Sequence, residues 1–377
     1  MNRTIMQNNS IMLLSIVGFF VIGISGCDTK KAQQEKADNI ITLAKSYADQ
    51  NNYEKAIETY NQIFQIKHSD SYKQVSFEIA KIYMDQKKYG KALREIDIYA
   101  SNFSDPESFI LWIQAKMGSI NPAEWKSPSS SAYKTIEKTA EYVKSNPDKV
   151  EVLRYLGVIY CCASDFDFSD KIGRAVEICC KAISLKPDDA EGYYFLSIAY
   201  SKDWKRLDQA EEACLKAIQL KPDYTDAYTL LGTIYWGQSR YRNHYYGVKY
   251  SFKDGKIYVE NAKQGSAEET RKQAIEALLK SISIKPTAWA WFKLGEYSGD
   301  RNIGLDDLSL HAFKISAEMD PSNEIVHTLL GHAFSQKKQW AEAVKSYERA
   351  LKIDPNSPGA STYIVVARKE LDKQTPL

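Results

Sequence analysis

Hydrophobic and polar positions along this 377-residue chain follow two different periods. Over most of the length, apolar residues recur at the three- and four-residue spacing of amphipathic helices. In one stretch the period drops to two. "VKYSFKDGKIYVE", Val248 to Glu260, has two short runs flanking Asp254-Gly255. That pair tolerates the positive φ angles of a two-residue type I′ turn. Folding about it sets Lys253 opposite Lys256, Phe252 opposite Ile257 and Tyr250 opposite Val259, with Ser251 facing Tyr258 and Lys249 facing Glu260. Tyr250, Phe252, Ile257 and Val259 then share an apolar face, and the other face is polar with a cross-strand ion pair. The pattern predicts a β-hairpin near 246–261 in an otherwise helical chain.

The helical pattern is itself repeated, and its clearest unit lies within Glu324 to Pro355 ("HTLLGHAFSQKKQWAEAVKSYERALKIDP"). Leu330-Gly331, Phe334, Ala343, Tyr347, Ala350 and Pro355 mark it. Gly and Ala let two antiparallel helices approach closely, large residues fill the gaps between units, and Pro stops the second helix. Leu43, Tyr47, Ala56 and Tyr60 mark an earlier unit, followed by Ile79, Ala80, Tyr83 and Ala92. Leu156-Gly157, Tyr160, Ala175, Ala182 and Pro187 come next, then Leu196, Tyr200, Ala210, Ala217 and Pro222. Leu231-Gly232, Tyr235, Ala274 and Pro286 precede Leu294-Gly295, Phe313 and Pro321. Ser108 to Lys144, with Leu111-Trp112-Ile113 and Asn146-Pro147, reads as one degenerate unit.

These residues resemble the tetratricopeptide repeat (TPR) pattern, L-G-x₂-Y…A-x₃-F…A…P, over nearly the whole chain after the N-terminus. The resemblance implies an all-α fold: a right-handed TPR α-solenoid of about eight helix-turn-helix units. Ser357 to Lys373 lacks a second half and is expected to be the terminal capping helix. The third clear unit carries extra residues between its helices ("ASDFDFSDKIG"), and the fifth carries a long insertion, Arg240 to Thr270, that contains the hairpin. Insertions of this kind map to one face of a solenoid, often a binding face.

The N-terminus follows a third pattern. Arg3 precedes Ile11 to Gly23, an almost unbroken apolar run too short for a comfortable membrane span and suited to a signal-peptide core. It runs into Ile24-Ser25-Gly26-Cys27, which resembles a bacterial lipobox. The resemblance implies cleavage before Cys27, a diacylglycerol on its thiol, and two or three acyl chains anchoring the protein to a membrane. An ordinary secretory signal with an incidental Cys is the alternative. The expected organisation is a lipoprotein signal peptide over 1–26, a lipidated tether over 27–37 and the solenoid over 38–373. By resemblance to lipoproteins of enteric bacteria, Asp28 favours the inner membrane with the solenoid exported.

Composition narrows the function classes. Lys plus Arg (50) nearly balances Asp plus Glu (48), and no basic cluster stands out, which argues against nucleic acid as a partner. No catalytic constellation, phosphate-cradling loop or G-x-S-x-G elbow is present, so no enzyme, cofactor or metal is expected. His327 and His332 are not spaced as paired zinc ligands, and His68, His244 and His311 read as surface or interface residues. Once Cys27 is lipidated, Cys161, Cys162, Cys179, Cys180 and Cys214 remain. Packing, a disulfide between the antiparallel helices and metal binding are all open to them. Cys179 and Cys214 occupy the slot that Tyr60 and Tyr347 fill elsewhere.

Binding is what remains. In TPR arrays the first helices line a groove, and their second, fifth, ninth and twelfth positions face a ligand. The resemblance places Glu151, Arg154, Glu191, Tyr194, Ile198, Asp226, Thr229, Thr233 and Trp236 there, followed by Trp289, Phe292, Glu296, Ile325, Thr328 and His332. Tyr194, Trp236, Trp289, Phe292 and His332 are the expected energetic contacts, because aromatic residues carry much of the energy of interfaces. The chain lacks the Lys, Asn and Arg set with which chaperone-binding TPR proteins clamp a carboxylate. The expected function is a membrane-anchored scaffold that binds a protein or peptide in assembling an envelope complex, such as pilus, secretin, outer-membrane or exopolysaccharide machinery. A glycan-binding lipoprotein and a regulatory subunit of a membrane enzyme are the alternatives.

Overall fold

The computed structural model describes residues 30–66, 71–99, 105–120, 131–162, 168–241, 249–260 and 265–374. The expected signal peptide, lipobox and Cys27 lie outside them. Among the described residues no helix is long and apolar enough to cross a membrane. Two compact units divide between Asn121 and Pro122.

The first unit contains α1 (Lys30–Asp49), α2 (Tyr53–Asn61) with a 3₁₀ turn (Gln62–Gln65), α3 (Tyr72–Asp85), α4 (Tyr89–Tyr99) and α5 (Pro106–Ser119). Helices α1 and α2 pair, as do α3 and α4. The expected tether is already helical from Lys30, because Ala37, Ile41 and Ala44 repeat at helical spacing and are buried with Ala56 and Tyr60. Residues 27–29 of that stretch lie outside the described residues.

The second unit opens with α6 (Ser131–Ser145) and continues through α7 (Val150–Cys162), α8 (Phe168–Leu185), α9 (Ala190–Ser201), α10 (Leu207–Leu220) and α11 (Thr225–Ser239). The hairpin β1 (Lys249–Lys253) and β2 (Lys256–Glu260) follows, then α12 (Ala267–Ile284), α13 (Ala288–Ser298), α14 (Asp306–Met319), α15 (Glu324–Gln336), α16 (Trp340–Ile353) and α17 (Pro358–Gln374). Successive antiparallel pairs are α7/α8, α9/α10, α11/α12, α13/α14 and α15/α16, and α17 packs on α16 as the expected cap. The two helices of the degenerate unit, α5 and α6, both form, but they fall on opposite sides of the division between units. Part of the extra "ASDFDFSDKIG" is helix, since α8 starts at Phe168.

The pairs close as the residue types require. Ala175, Ala182, Ala210, Ala217, Ala274, Ala343 and Ala350 are all buried. A Cβ on Gly232 would meet the Ala274 carbonyl oxygen at 2.9 Å, so only glycine allows α11 and α12 this close. Tyr60 and Tyr347 fill their units, and Cys179 and Cys214 fill the same slot as small apolar groups. All five cysteines among the described residues are free thiols. Burial pushes the Cys161 and Cys214 thiols up to about 12, which keeps them protonated and unreactive.

The hairpin has the expected register, Lys249↔Glu260 through Lys253↔Lys256. Asp254 and Gly255 both take positive φ, 50° and 72°, as a type I′ turn demands. Its apolar face does not stand free. Ile257 is 2% exposed in a core with Ala274, Ile275 and Leu278 of α12 and Leu294 and Tyr297 of α13, with Tyr250 and Phe252 packed at the edge. The Tyr250 hydroxyl donates to the Glu268 carbonyl at 3.3 Å, and burial pushes its pKa up to about 12. The insertion is also shorter than expected. Ser266 caps α12 by accepting from the Glu269 N–H at 3.2 Å, so residues 267–270 are helix and Thr270 is buried in it.

Candidate functional groove

Helices α9, α11 and α13 are the first helices of three successive pairs, and between them lies an open depression of about 290 Å³. Thr233, Trp236, Gly237 and Arg240 of the α11 side, Ser201 and Leu207 at the end of α9 and start of α10, and Lys293, Glu296 and Tyr297 of α13 line it. Trp236 is its central feature, stacked parallel on Tyr297, a core residue 2% exposed, with centroids 4.3 Å apart and planes 5° off. The Arg271 guanidinium from α12 stands 5.8 Å from the Trp236 centroid. The stack is thus held by three helices and is rigid before any ligand arrives, which lowers the entropy cost of binding.

Charge in the groove is largely paired. Lys293 Nζ bonds Glu296 Oε2 at 2.8 Å while lying 4.7 Å over the Trp289 ring and 5.7 Å over Tyr297. Burial raises the Tyr297 pKa and keeps the phenol neutral, with the Thr233 hydroxyl as a side-chain partner.

Of the residues expected to face a ligand, Thr233, Trp236 and Glu296 meet in this depression. The others are distributed differently. Trp289 is 55% exposed on α13 and stacks on Phe292, but Phe292 itself is only 8% exposed, buried against Phe313 and the α15 core. Phe292 is therefore a core residue, not a groove contact. Tyr194 is wedged between Phe195 and Tyr224 at 5.4 and 5.0 Å, so it supports the α9/α11 packing more than it offers a surface. His332 is half-buried against Tyr363 of the capping helix, and burial together with Arg301 holds its imidazole below the usual value. Thr229 is buried and bonds Ser281 at 2.8 Å.

Arg154 departs furthest from expectation. It is 8% exposed, and its Nη1 donates to both Asp189 oxygens at 2.9 and 2.8 Å and meets Glu191 Oε2 at 2.9 Å. Asp189 also accepts the Gly192 N–H, capping α9. Arg154, Asp189 and Glu191 thus tie α7 to α9 instead of presenting charge to a ligand. Of the hairpin's apolar face, Tyr250, Phe252 and Ile257 pack against the fold, whereas Val259 lines the depression beside the hairpin. An open depression of about 670 Å³ flanks the hairpin's polar face along α12, lined by Lys253, Lys256, Tyr258, Lys272 and Glu276 among others. None of the first-helix groove positions contributes to it.

Sequence positions alone missed Arg240, Lys293 and Tyr297 of the groove. Lys293 and Tyr297 each sit one residue after an expected contact, and Arg240 follows the end of α11, outside the repeat pattern.

This geometry defines a helix-pair repeat scaffold: an array of antiparallel pairs whose first helices present a preformed groove. Three segments of the array carry tetratricopeptide repeats. Family models of the tetratricopeptide repeat match residues 41–107, 190–224 and 325–357. A solved tetratricopeptide repeat protein of Parabacteroides merdae aligns with 80% of this chain and 99% of its own, at 13% identity and a TM-score of 0.56. A thermophilic TPR protein of Thermus thermophilus covers 58% of this chain and 99% of its own, at 16% identity and a TM-score of 0.41. Among curated proteins, small glutamine-rich tetratricopeptide repeat-containing protein 2 of Mycosarcoma maydis is 24% identical over 102 residues, 27% of this chain. The chain spans about 29% of the length of that relative. Repeats of this kind mediate protein–protein interaction and scaffolding.

Proposed function

We propose that this chain is a membrane-anchored scaffold that holds a segment of a partner protein in the groove of α9, α11 and α13, in assembly of an envelope complex. The observation that carries the groove reading is the Trp236 ring, partly exposed in the depression beside Thr233 and held in place by the buried Tyr297 stacked on it. Aromatic side chains held rigid in this way are the usual anchors of interface energy. The anchor is supported by the apolar run Ile11 to Gly23 ending at Ile24-Ser25-Gly26-Cys27. A glycan would need open ring faces. Trp236 is stacked on Tyr297, Trp291 meets His311 edge-on and packs against the hairpin core, and the exposed Trp289 has Phe292 stacked on it and Lys293 over its ring, which favours a protein ligand.

A photo-crosslinking residue at Thr233, compared with one at Glu212 on the second helix α10, tests the reading in intact cells. The expected result is a discrete protein adduct from position 233 and none from position 212. Adducts from 212 alone, or the same adducts from both, would contradict a groove-bound partner.

A further inference from the structure

The apolar face of the hairpin carries one polar atom into the fold, the Tyr250 hydroxyl. That hydroxyl donates to the Glu268 carbonyl at 3.3 Å, and its oxygen is left to accept from the Arg271 guanidinium, its side-chain partner. The Glu268 and Asp300 carboxylates stand near the same hydroxyl. Arg271 is only 7% exposed, and its Nε has no hydrogen-bond partner among the described residues. The same guanidinium lies over the Trp236 ring, 5.8 Å from its centroid. Burying a guanidinium is costly unless neighbours compensate it. Two of those neighbours here are a phenol from β1 and the groove ring from α11.

This contact differs in kind from the rest of the hairpin's docking. Ile257 and Phe252 hold the hairpin on α12 and α13 by apolar burial, which is non-directional. The bond to Tyr250 and the approach to Trp236 are both directional, and they share one planar, rigid group. A guanidinium that faces two partners at once fixes each relative to the other. Tyr250 and Trp236 also pack at the edge of the same core, so Arg271 spans a short distance between elements that are already close.

We propose, resting on the groove reading above, that Arg271 is a positioning residue: it transmits the docked place of Tyr250 to Trp236, so the hairpin sets the ring that a partner segment meets. The insertion then acts on binding without touching the segment. Losing the Tyr250 hydroxyl alone leaves the hairpin docked through Ile257, frees the guanidinium, and lets Trp236 shift.

The test labels the seven tryptophans of the full chain with 5-fluorotryptophan and reads them by fluorine NMR. Trp236→Phe and Trp291→Phe assign two lines, Trp291 reporting on the core that the hairpin completes. The proteins compared are the wild type, Tyr250→Phe, Arg271→Met and the double variant, each shown by circular dichroism to be folded. Arg271→Lys, which keeps the charge without the planar fork, takes the place of Arg271→Met if that variant does not fold. Tyr250→Phe should move the Trp236 line by more than its width and leave the Trp291 line in place. Arg271→Met should move the Trp236 line as well, and adding Tyr250→Phe to it should move the line no further. In intact cells, a photo-crosslinking residue at Arg240, which lines the depression, should give about threefold less protein adduct in the Tyr250→Phe background, the scale of one hydrogen bond. A Trp236 line unmoved by Tyr250→Phe, Trp236 and Trp291 lines that move together, shifts that add in the double variant, or an undiminished adduct each overturns the positioning role and leaves the groove reading standing. No protein adduct from position 240 of the otherwise wild-type chain overturns both.

Discussion

Ile257→Ala is expected to cost the second unit about 3 kcal/mol of unfolding free energy, within the roughly 2–5 kcal/mol seen when a buried aliphatic side chain leaves a cavity. An isolated two-stranded hairpin is marginal in water, so β1 and β2 persist because Ile257, with Tyr250 and Phe252, completes the core between α12 and α13. The same core supports Tyr297, half of the groove's central stack, so loosening the hairpin should loosen the groove floor. Tyr258→Ala on the exposed face provides the control, with an expected change within about 0.5 kcal/mol. Urea unfolding reads both, and hydrogen exchange along α12 and α13 shows whether the loss reaches the groove. Equal, small effects for the two substitutions would mean the hairpin is an appendage and not part of the core.

Arg154→Leu is expected to cost about 3–5 kcal/mol, because it strands the Asp189 carboxylate in a buried position with only the α9 cap as compensation. The penalty belongs to the orphaned charge more than to the lost attraction. Arg154→Leu combined with Asp189→Asn, which keeps a capping oxygen without the charge, should therefore recover much of it. A double-mutant cycle by chemical denaturation gives the coupling directly. Additive losses would show that the two residues act independently and that Arg154 does not tie α7 to α9.

Local chemistry explains what could be read from the chain beforehand. The hairpin register was legible to the residue, because Asp254-Gly255 fixes the turn and strict alternation fixes the faces. The helix pairs were legible because Gly331, Ala343 and Tyr347 obey short-range spacing, and the slot shared by Tyr347 and Cys214 is a local property too. The start of α12 also had a local signal. Ser266-Ala267-Glu268-Glu269 is a capping-box sequence, and weighing it would have ended the insertion at Ser266. Arg154 had no such signal, since its partner Asp189 lies 35 residues on and only the fold brings them together. Phe292 and Trp289 show the limit of positional rules, three residues apart on one helix, one in the core and the other in water.

The central claim is that a partner segment occupies the space under Thr233. Its most direct measurement is the affinity of the segment recovered by crosslinking for the wild-type chain and for Thr233→Trp, with both proteins melting alike. A segment seated on the Trp236 ring should lose at least about tenfold in affinity, about 1.4 kcal/mol, when that space is filled. An unchanged affinity would place the partner elsewhere on the fold.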